Sequence, residues 1–158
     1  YLIFTEDTTM KAFKKLMAAA LVCVMALSML TGCALGDKID EKALVKALNK
    51  KHDVYVSEND LDGKAENAWS DAVKEGVVKK EQGSFKAGDV TYNYVLVEVP
   101  DSARKTDNWE KAAGIVDTAL NTTSATNKNG KIELGIKFKT GKKNDKSVDF
   151  VVVVAKAK

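Results

Sequence analysis

Cys33 is the residue with the clearest chemistry in this sequence, because a cysteine thiolate is a strong nucleophile for alkylation. It follows an uncharged run, Leu16–Leu30, and Lys11, Lys14 and Lys15 stand immediately before that run. A basic segment, an apolar segment and small residues at a cleavage point are typical of a secretory signal peptide. The run is shorter than the about 20 apolar residues that a transmembrane helix needs. We therefore expect an exported chain whose leader is removed.

The four residues Leu30-Thr31-Gly32-Cys33 resemble the bacterial lipobox, in which a leucine and two small residues precede a cysteine. The resemblance implies that the Cys33 sulfur receives a diacylglycerol, that the chain is cut between Gly32 and Cys33, and that the new amino group is a site of acylation. It therefore implies a lipoprotein attached to the extracytoplasmic face of a bacterial cell membrane through its lipid anchor. Two or more acyl chains hold a protein stably on a bilayer. An ordinary signal peptide with an incidental cysteine is the alternative.

Four segments follow from this interpretation. Two acids ahead of Met10 are unusual in a signal peptide, so the first segment is interpreted as an upstream extension or a cloning remnant. The predicted segments are that extension at 1–9, the leader at 10–32, a tether at 33–37 and a single domain at 38–158.

Catalysis by a histidine-based triad finds little support in the composition. His52 is the only histidine, and we expect it to face solvent at the end of a helix. Cys23 is predicted to leave with the leader and Cys33 to carry the lipid, so the domain has no further cysteine. Ser-His-Asp and Cys-His arrangements, and zinc sites rich in histidine or cysteine, are therefore not expected.

Three short patterns resemble the motif set of penicillin-binding proteins and serine β-lactamases. They are Ser102-Ala-Arg-Lys105, Ser57-Glu-Asn59 and Lys139-Thr140-Gly141. In that family the serine is the acylated nucleophile, and a lysine supplies or relays the proton. Here the S-x-N pattern precedes the S-x-x-K pattern, which reverses the family's order, and the family's catalytic domain is far larger than this chain. We therefore do not expect an enzyme of that class.

Acidic residues offer two further possibilities. Glu58, Asp60 and Asp62 resemble the opening of an EF-hand loop, but the twelfth position is Trp69 instead of a bidentate acid. We therefore expect neither a metal nor any other cofactor. Acids such as Glu98, Asp101 and Glu133 would suit glycoside chemistry if two of them paired across a sheet. A small envelope hydrolase is thus one alternative function.

Four aromatic residues mark candidate surfaces. Trp69 and Trp109 lie on the apolar stripes of two predicted helices, and Tyr92 and Tyr94 share one face of a predicted strand. Core packing is the default interpretation of such residues. A ligand or partner surface between helix and sheet is the functional alternative.

Lysines concentrate at the C-terminal end of the chain. Residues 127–158 carry 9 basic and 3 acidic side chains. Contact with an anionic headgroup or wall polymer is one interpretation, and the solvated face of a hairpin is the other. The candidate contact residues are Lys137, Lys139, Lys142, Lys143 and Lys146. Nucleic acid is not an expected partner, because basic and aromatic residues do not interleave.

Hydrophobic periodicity indicates the elements that would position these residues. It predicts helices at 37–51, 59–76 and 107–120, and strands at 53–57, 83–89, 90–99, 131–140 and 148–155. This order is typical of an α+β domain, with a mainly antiparallel sheet of about four strands and two or three helices packed on one face. The run Tyr94–Val97 is apolar on both faces, which predicts cover on both sides of that strand. The connection from Val99 to Lys131 predicts a crossover between strands of the same direction.

The sequence therefore favours a lipid-anchored, non-catalytic module that binds an unknown protein or envelope component. The envelope hydrolase and an electrostatic module that associates with the cell wall are the alternatives.

Overall fold

The computed structural model describes residues 40–99 and 109–158, all of which belong to one compact unit, Asp37–Lys158. The predicted leader, Cys33 with its tether, and the acid Asp101 lie outside the described residues. Three helices are present in the described part of the chain: α1 at 40–51, α2 at Asp62–Ala72 and α3 at Trp109–Leu120. A short 3₁₀ turn, Asn59–Leu61, leads directly into α2.

Seven strands form one sheet within these described ranges. They are β1 (Tyr55–Ser57), β2 (Val73–Lys74), β3 (Val77–Val78), β4 (Gln82–Ala87), β5 (Val90–Glu98), β6 (Ile132–Lys143) and β7 (Lys146–Lys156). Their order is β2-β3-β6-β7-β5-β4, and β1 also pairs with β6. The α+β class is confirmed, but the sheet has seven strands instead of about four.

Strand directions are mixed. The ladders β4–β5, β5–β7, β6–β7 and β2–β3 are antiparallel, whereas β1 and β3 both run parallel to β6. Because β5 and β6 are each antiparallel to β7, they run in the same direction, as the crossover through α3 predicts. β7 lies between them, so they are not hydrogen-bonded neighbours.

The helices cover both faces of the sheet, and the expectation of helices on one face is wrong. One apolar core joins α1 and α3 to residues such as Val95, Val151 and Val153. The other core joins α2 to the alternate residues of the same strands, including Leu96 and Val152. Consecutive apolar residues in β5 and β7 require this arrangement, because successive side chains point to opposite faces.

Two tight turns explain why the C-terminal hairpin is longer, and the helix α2 shorter, than the sequence predicts. Asn144 and Asp145 both have positive φ, 51° and 61°, which is the type I′ geometry that extends β6 and β7 to their common tip. Glu75 and Gly76, with φ of 53° and 76°, join β2 to β3 in the same way. The predicted helix at 59–76 therefore ends at Ala72, and its last residues form a hairpin.

Candidate functional site

The four predicted aromatic residues lie in two different cores. Trp109 is fully buried on the α1 and α3 face, where its ring meets Phe138 edge-on at a centroid distance of 6.2 Å. Trp69, Tyr92 and Tyr94 lie on the α2 face, with Tyr94 only 1% exposed. The structure therefore brings three of the four together and separates Trp109 from them.

A hydrogen bond fixes Tyr94 within the α2 face. Its hydroxyl donates to Asp71 Oδ2 at 2.6 Å, and Lys80 Nζ lies 3.3 Å from the same oxygen. Hydrogen bonding from Tyr94 lowers the pKa of Asp71, whereas burial and the bond to Asp71 raise the pKa of Tyr94. Gly83 makes room for this bond, because a Cβ at Gly83 would lie 2.7 Å from the Tyr94 hydroxyl oxygen.

The other two aromatic residues of this face also pack within it. Trp69 contacts Phe150 at a ring separation of 6.1 Å. Tyr92 stacks on Phe85 at 5.6 Å, and the Lys64 ammonium lies 5.5 Å from the Tyr92 ring centre. These contacts are those of core packing, with Tyr92 only 8% exposed.

The five predicted lysines differ in their partners. Lys139 Nζ lies 2.6 Å from Glu66 Oε1. Lys143 pairs with Glu81 and with Glu98, the latter at 2.9 Å, and both carboxylates raise the pKa of its ammonium. Lys137, Lys142 and Lys146 make no ion pair with a carboxylate of the described residues. The lysine-rich hairpin is therefore partly neutralised by acids of the same domain.

The register of β7 measures the separation of two candidate catalytic acids. Glu98 pairs with Phe150, and Glu133 lies one residue before the pair Leu134–Ala155. Six residues of β7 therefore separate them, or roughly 20 Å at about 3.3 Å per residue. Glycosidase carboxylates lie about 5–10 Å apart, so this pair does not have that geometry.

A polar cluster that the sequence did not indicate joins α1, β1 and α3. His52 Nδ1 lies 3.0 Å from Asp117 Oδ1, and the Tyr55 hydroxyl donates to the same oxygen at 2.6 Å. Burial and the bond to Asp117 raise the pKa of Tyr55. Asn121 also lies within 3.1 Å of His52 Nδ1. No local pattern could have revealed this cluster, because more than sixty residues separate Asp117 from His52 and Tyr55.

The His52 cluster positions an imidazole but, within the described residues, gives it no nucleophile. A carboxylate that holds Nδ1 orients the ring as in a catalytic dyad. No serine, threonine or cysteine of the described residues hydrogen-bonds to His52. The hydrogen bonds of His52 connect the end of α1 to α3. A structural role of this kind explains the position of the half-exposed imidazole, and no catalytic role is needed to explain it.

An open groove lies between α3 and the first residue of β4. It has a volume of about 620 Å³. Ile115 is 44% exposed there, although it is a large apolar residue. The residues that line the groove are Gln82, Lys111, Gly114, Ile115, Thr118 and Ala119. The periodicity of α3 explains why Ile115 is exposed. One face of the helix turns Ala112, Ala113 and Val116 toward the core, and the adjacent face turns toward the groove.

Comparison of the chain with protein-family models, curated proteins and solved structures finds no match. Within residues 40–99 and 109–158, no helix is long and apolar enough to cross a membrane. The same residues contain no group of three or more His, Cys, Asp or Glu side chains that could hold a metal ion.

Proposed function

We propose that this protein is a bacterial lipoprotein, anchored through Cys33 to the extracytoplasmic face of the cell membrane, whose α+β domain binds a protein or another envelope component. The observation that carries the proposal is the lipobox-like stretch Leu30-Thr31-Gly32-Cys33 after a basic segment and an apolar run. The first described helix, α1, begins at Asp40, seven residues after the cysteine in the sequence. This short spacing would keep the domain close to the membrane surface.

A binding role accords with an anchor. Tethering a domain to a surface raises its effective concentration for partners on that surface, so even modest affinity suffices. The groove beside α3 offers a concave surface for a partner, and its lining includes the exposed apolar residue Ile115.

Membrane fractionation of cells that express the whole chain tests the anchor. Cys33→Ser is expected to move the protein from the membrane fraction to the soluble fraction or to leave it uncleaved, because serine does not form the thioether. Cys23→Ser is the matched control, since the proposal removes residue 23 with the leader, and its fractionation is expected to equal that of the unaltered chain. Equal membrane retention and equal processing of both variants would contradict the proposal.

An electrostatic wall-associating module is the second candidate. It is favoured by Lys137, Lys142 and Lys146, which make no ion pair with carboxylates of the described residues. Binding of the protein to purified cell walls would then fall steeply as salt rises from about 0.05 to 0.5 M, because salt screens exposed charges. Binding that does not change with salt would remove this candidate.

A further inference from the structure

Strand β4 leaves one edge of the sheet open in the described part of the molecule. It is one of the two terminal strands in the sheet order, and its one neighbour there is β5. The other terminal strand, β2, is only 2 residues long, whereas β4 has 6. The Leu96 backbone N–H donates to the Glu81 carbonyl at 2.7 Å, just before the pair Gln82–Val95. Hydrogen-bonded and non-bonded positions alternate along an antiparallel pair. The backbone N–H and C=O groups of Gln82, Ser84 and Lys86 therefore point away from β5.

The same three residues expose their side chains on the α3 side of the sheet. Gly83 and Phe85 pair with Tyr94 and Tyr92, which places them on the α2 face. Strand alternation puts Gln82, Ser84 and Lys86 on the opposite face, where all three are exposed. α3 packs on β5, so the surface of β4 forms a step beside the helix.

The groove described above lies within this step. Gln82 forms part of its lining, and Ile115 and Ala119 of α3 form its apolar wall. A strand added next to β4 would place every second side chain on the α3 side, beside this wall. Its other side chains would lie near Phe85, which is half-buried on the α2 face.

Two lysines beside the groove indicate what kind of partner segment would bind there. Lys86 on β4 and Lys111 on α3 make no ion pair with a carboxylate of the described residues. Lys111 also lines the groove. An occupant with acidic side chains beside these two lysines would be complementary in charge, and such complementarity selects partners and speeds their association.

We propose that the β4 edge binds an extended segment of a partner protein as an added strand, with an apolar side chain against Ile115 and acidic side chains near Lys86 and Lys111. Main-chain hydrogen bonds at Gln82, Ser84 and Lys86 supply affinity, and the groove supplies specificity, as in other cases of strand addition. The inference rests on the binding role proposed above, for which it names the surface and the class of partner.

The test is binding of a fluorescent synthetic peptide to the whole chain, purified in detergent from bacterial membranes. The peptide has about five residues, which is a usual strand length. In its extended form, one face carries glutamate, valine and glutamate, and the other carries valine and threonine. The control peptide has the same sequence, but its backbone nitrogens are methylated at the alternate residues whose N–H groups would face β4. These residues therefore cannot donate hydrogen bonds to β4.

Two pairs of variants separate the edge from the rest of the surface. Ser84→Pro removes an outward N–H and is expected to weaken peptide binding at least about tenfold, whereas Ser84→Thr keeps the N–H and is expected to retain binding. Ile115→Glu places a negative charge beside the glutamates of the peptide and is expected to weaken peptide binding by a similar factor. Val56→Glu, at the other large exposed apolar residue described, is expected to leave binding unchanged.

Three outcomes would overturn the proposal: equal binding of both peptides, equal binding by Ser84→Pro and Ser84→Thr, or self-association of the chain through β4 that excludes the peptide. Fractionation of the same samples keeps the two proposals distinct. Failure of the peptide to bind a chain that remains in the membrane fraction would overturn the strand-addition proposal and leave the anchor intact. Peptide binding by a chain that Cys33→Ser does not release would overturn the anchor instead.

Discussion

The outer sides of the two long strands β6 and β4 differ, and the difference indicates where a partner can bind. The edge at β6 is covered by β1 along Ile132–Leu134 and by β3 at Lys142. The edge at β4 has no further strand in the described residues. Because an open edge is a template for pairing with another chain, the outer side of β6 is partly closed by the short strands β1 and β3, whereas the outer side of β4 is left available.

The closure of the β6 edge extends beyond the two short strands. The Ile132 N–H donates to the Val54 carbonyl and the Lys142 N–H to the Gly76 carbonyl, at 2.7 and 2.8 Å. In the gap between β1 and β3, the Ile136 N–H donates to the Asp62 carboxylate at 3.2 Å. A side chain at the start of α2 thus takes the place of a strand.

Replacement of Gly135 should have the largest effect on this comparison. A Cβ at Gly135 would collide with the Leu61 carbonyl and lie 2.8 Å from a methyl group of Val154. Because one of these atoms is backbone, Gly135→Ala must displace the turn that seals the β6 edge. We expect a loss of about 3 kcal/mol in the free energy of unfolding, measured by urea denaturation.

Gly63→Ala is the matched control for that prediction. Gly63 lies in the first turn of α2 and would place its Cβ in open space. Alanine favours helix, so a gain of up to about 0.5–1 kcal/mol is expected. A chain that tolerates Gly135→Ala as well as Gly63→Ala would show that the turn does not seal the edge tightly.

Loss of the Asp62 carboxylate is the next largest effect. Asp62→Ala leaves the N–H of the buried residue Ile136 without its acceptor, so we expect a loss of about 1–2 kcal/mol in unfolding free energy. Asp62→Asn retains an acceptor oxygen and should cost less. Asp60→Ala removes an exposed acid two residues earlier and should change stability by under about 0.5 kcal/mol. Equal losses for Asp60→Ala and Asp62→Ala would assign the effect to helix charge instead of edge closure.

The sequence predicted the long strands better than the edges. Strict alternation in Lys131–Thr140 and the apolar run of β7 identify a hairpin locally, and the structure confirms it. Edge strands are set by pairing between distant residues, such as Tyr55 with Ile132, and local periodicity carries no signal of that partner. The groove depends on the outward face of α3 and the position of Gln82, which only strand order brings together.

The aromatic residues show the same limit. Helical spacing correctly indicated that Trp69 and Trp109 face a core, but it could not show that two cores exist. The apolar run Tyr94–Val97 was the available signal for a third layer, because both faces of that strand need cover. The alanines of α2, Ala65, Ala68 and Ala72, supply it.

Tyr94→Phe, in the strand next to β4, should lower the free energy of unfolding by less than Gly135→Ala or Asp62→Ala does. It removes the hydroxyl that donates to Asp71, a bond that Gly83 of β4 accommodates. We expect a loss of about 1 kcal/mol at neutral pH. The lowered pKa of Asp71 means that its contribution is present above the usual carboxyl range and is lost as pH falls through the folded pKa.

Denaturation at several pH values checks this prediction. The stability difference between the unaltered chain and Tyr94→Phe should be constant from about pH 5 to 8 and should shrink below about pH 4. A difference that grows as the solution becomes more acidic would contradict the direction of the Asp71 shift.

The smallest effect on stability is expected at the open edge itself. Proline is tolerated where its missing N–H faces solvent, so Ser84→Pro should cost less than about 1 kcal/mol. Phe85→Pro removes an N–H that faces β5 and should cost about 3 kcal/mol or more. Similar losses for the two variants, measured by thermal unfolding, would show that the outer groups of β4 are already bonded.

Amide hydrogen exchange of the whole chain, resolved by residue, tests most directly whether β4 is a free edge that takes a strand. Without peptide, the amides of Gln82, Ser84 and Lys86 should exchange rapidly, while those of Gly83 and Phe85 on the same strand exchange slowly. Addition of the glutamate-valine peptide should slow the three outer amides and leave the inner two as they were. Outer amides that are already protected without peptide, or that remain unprotected at saturating peptide, would contradict the account.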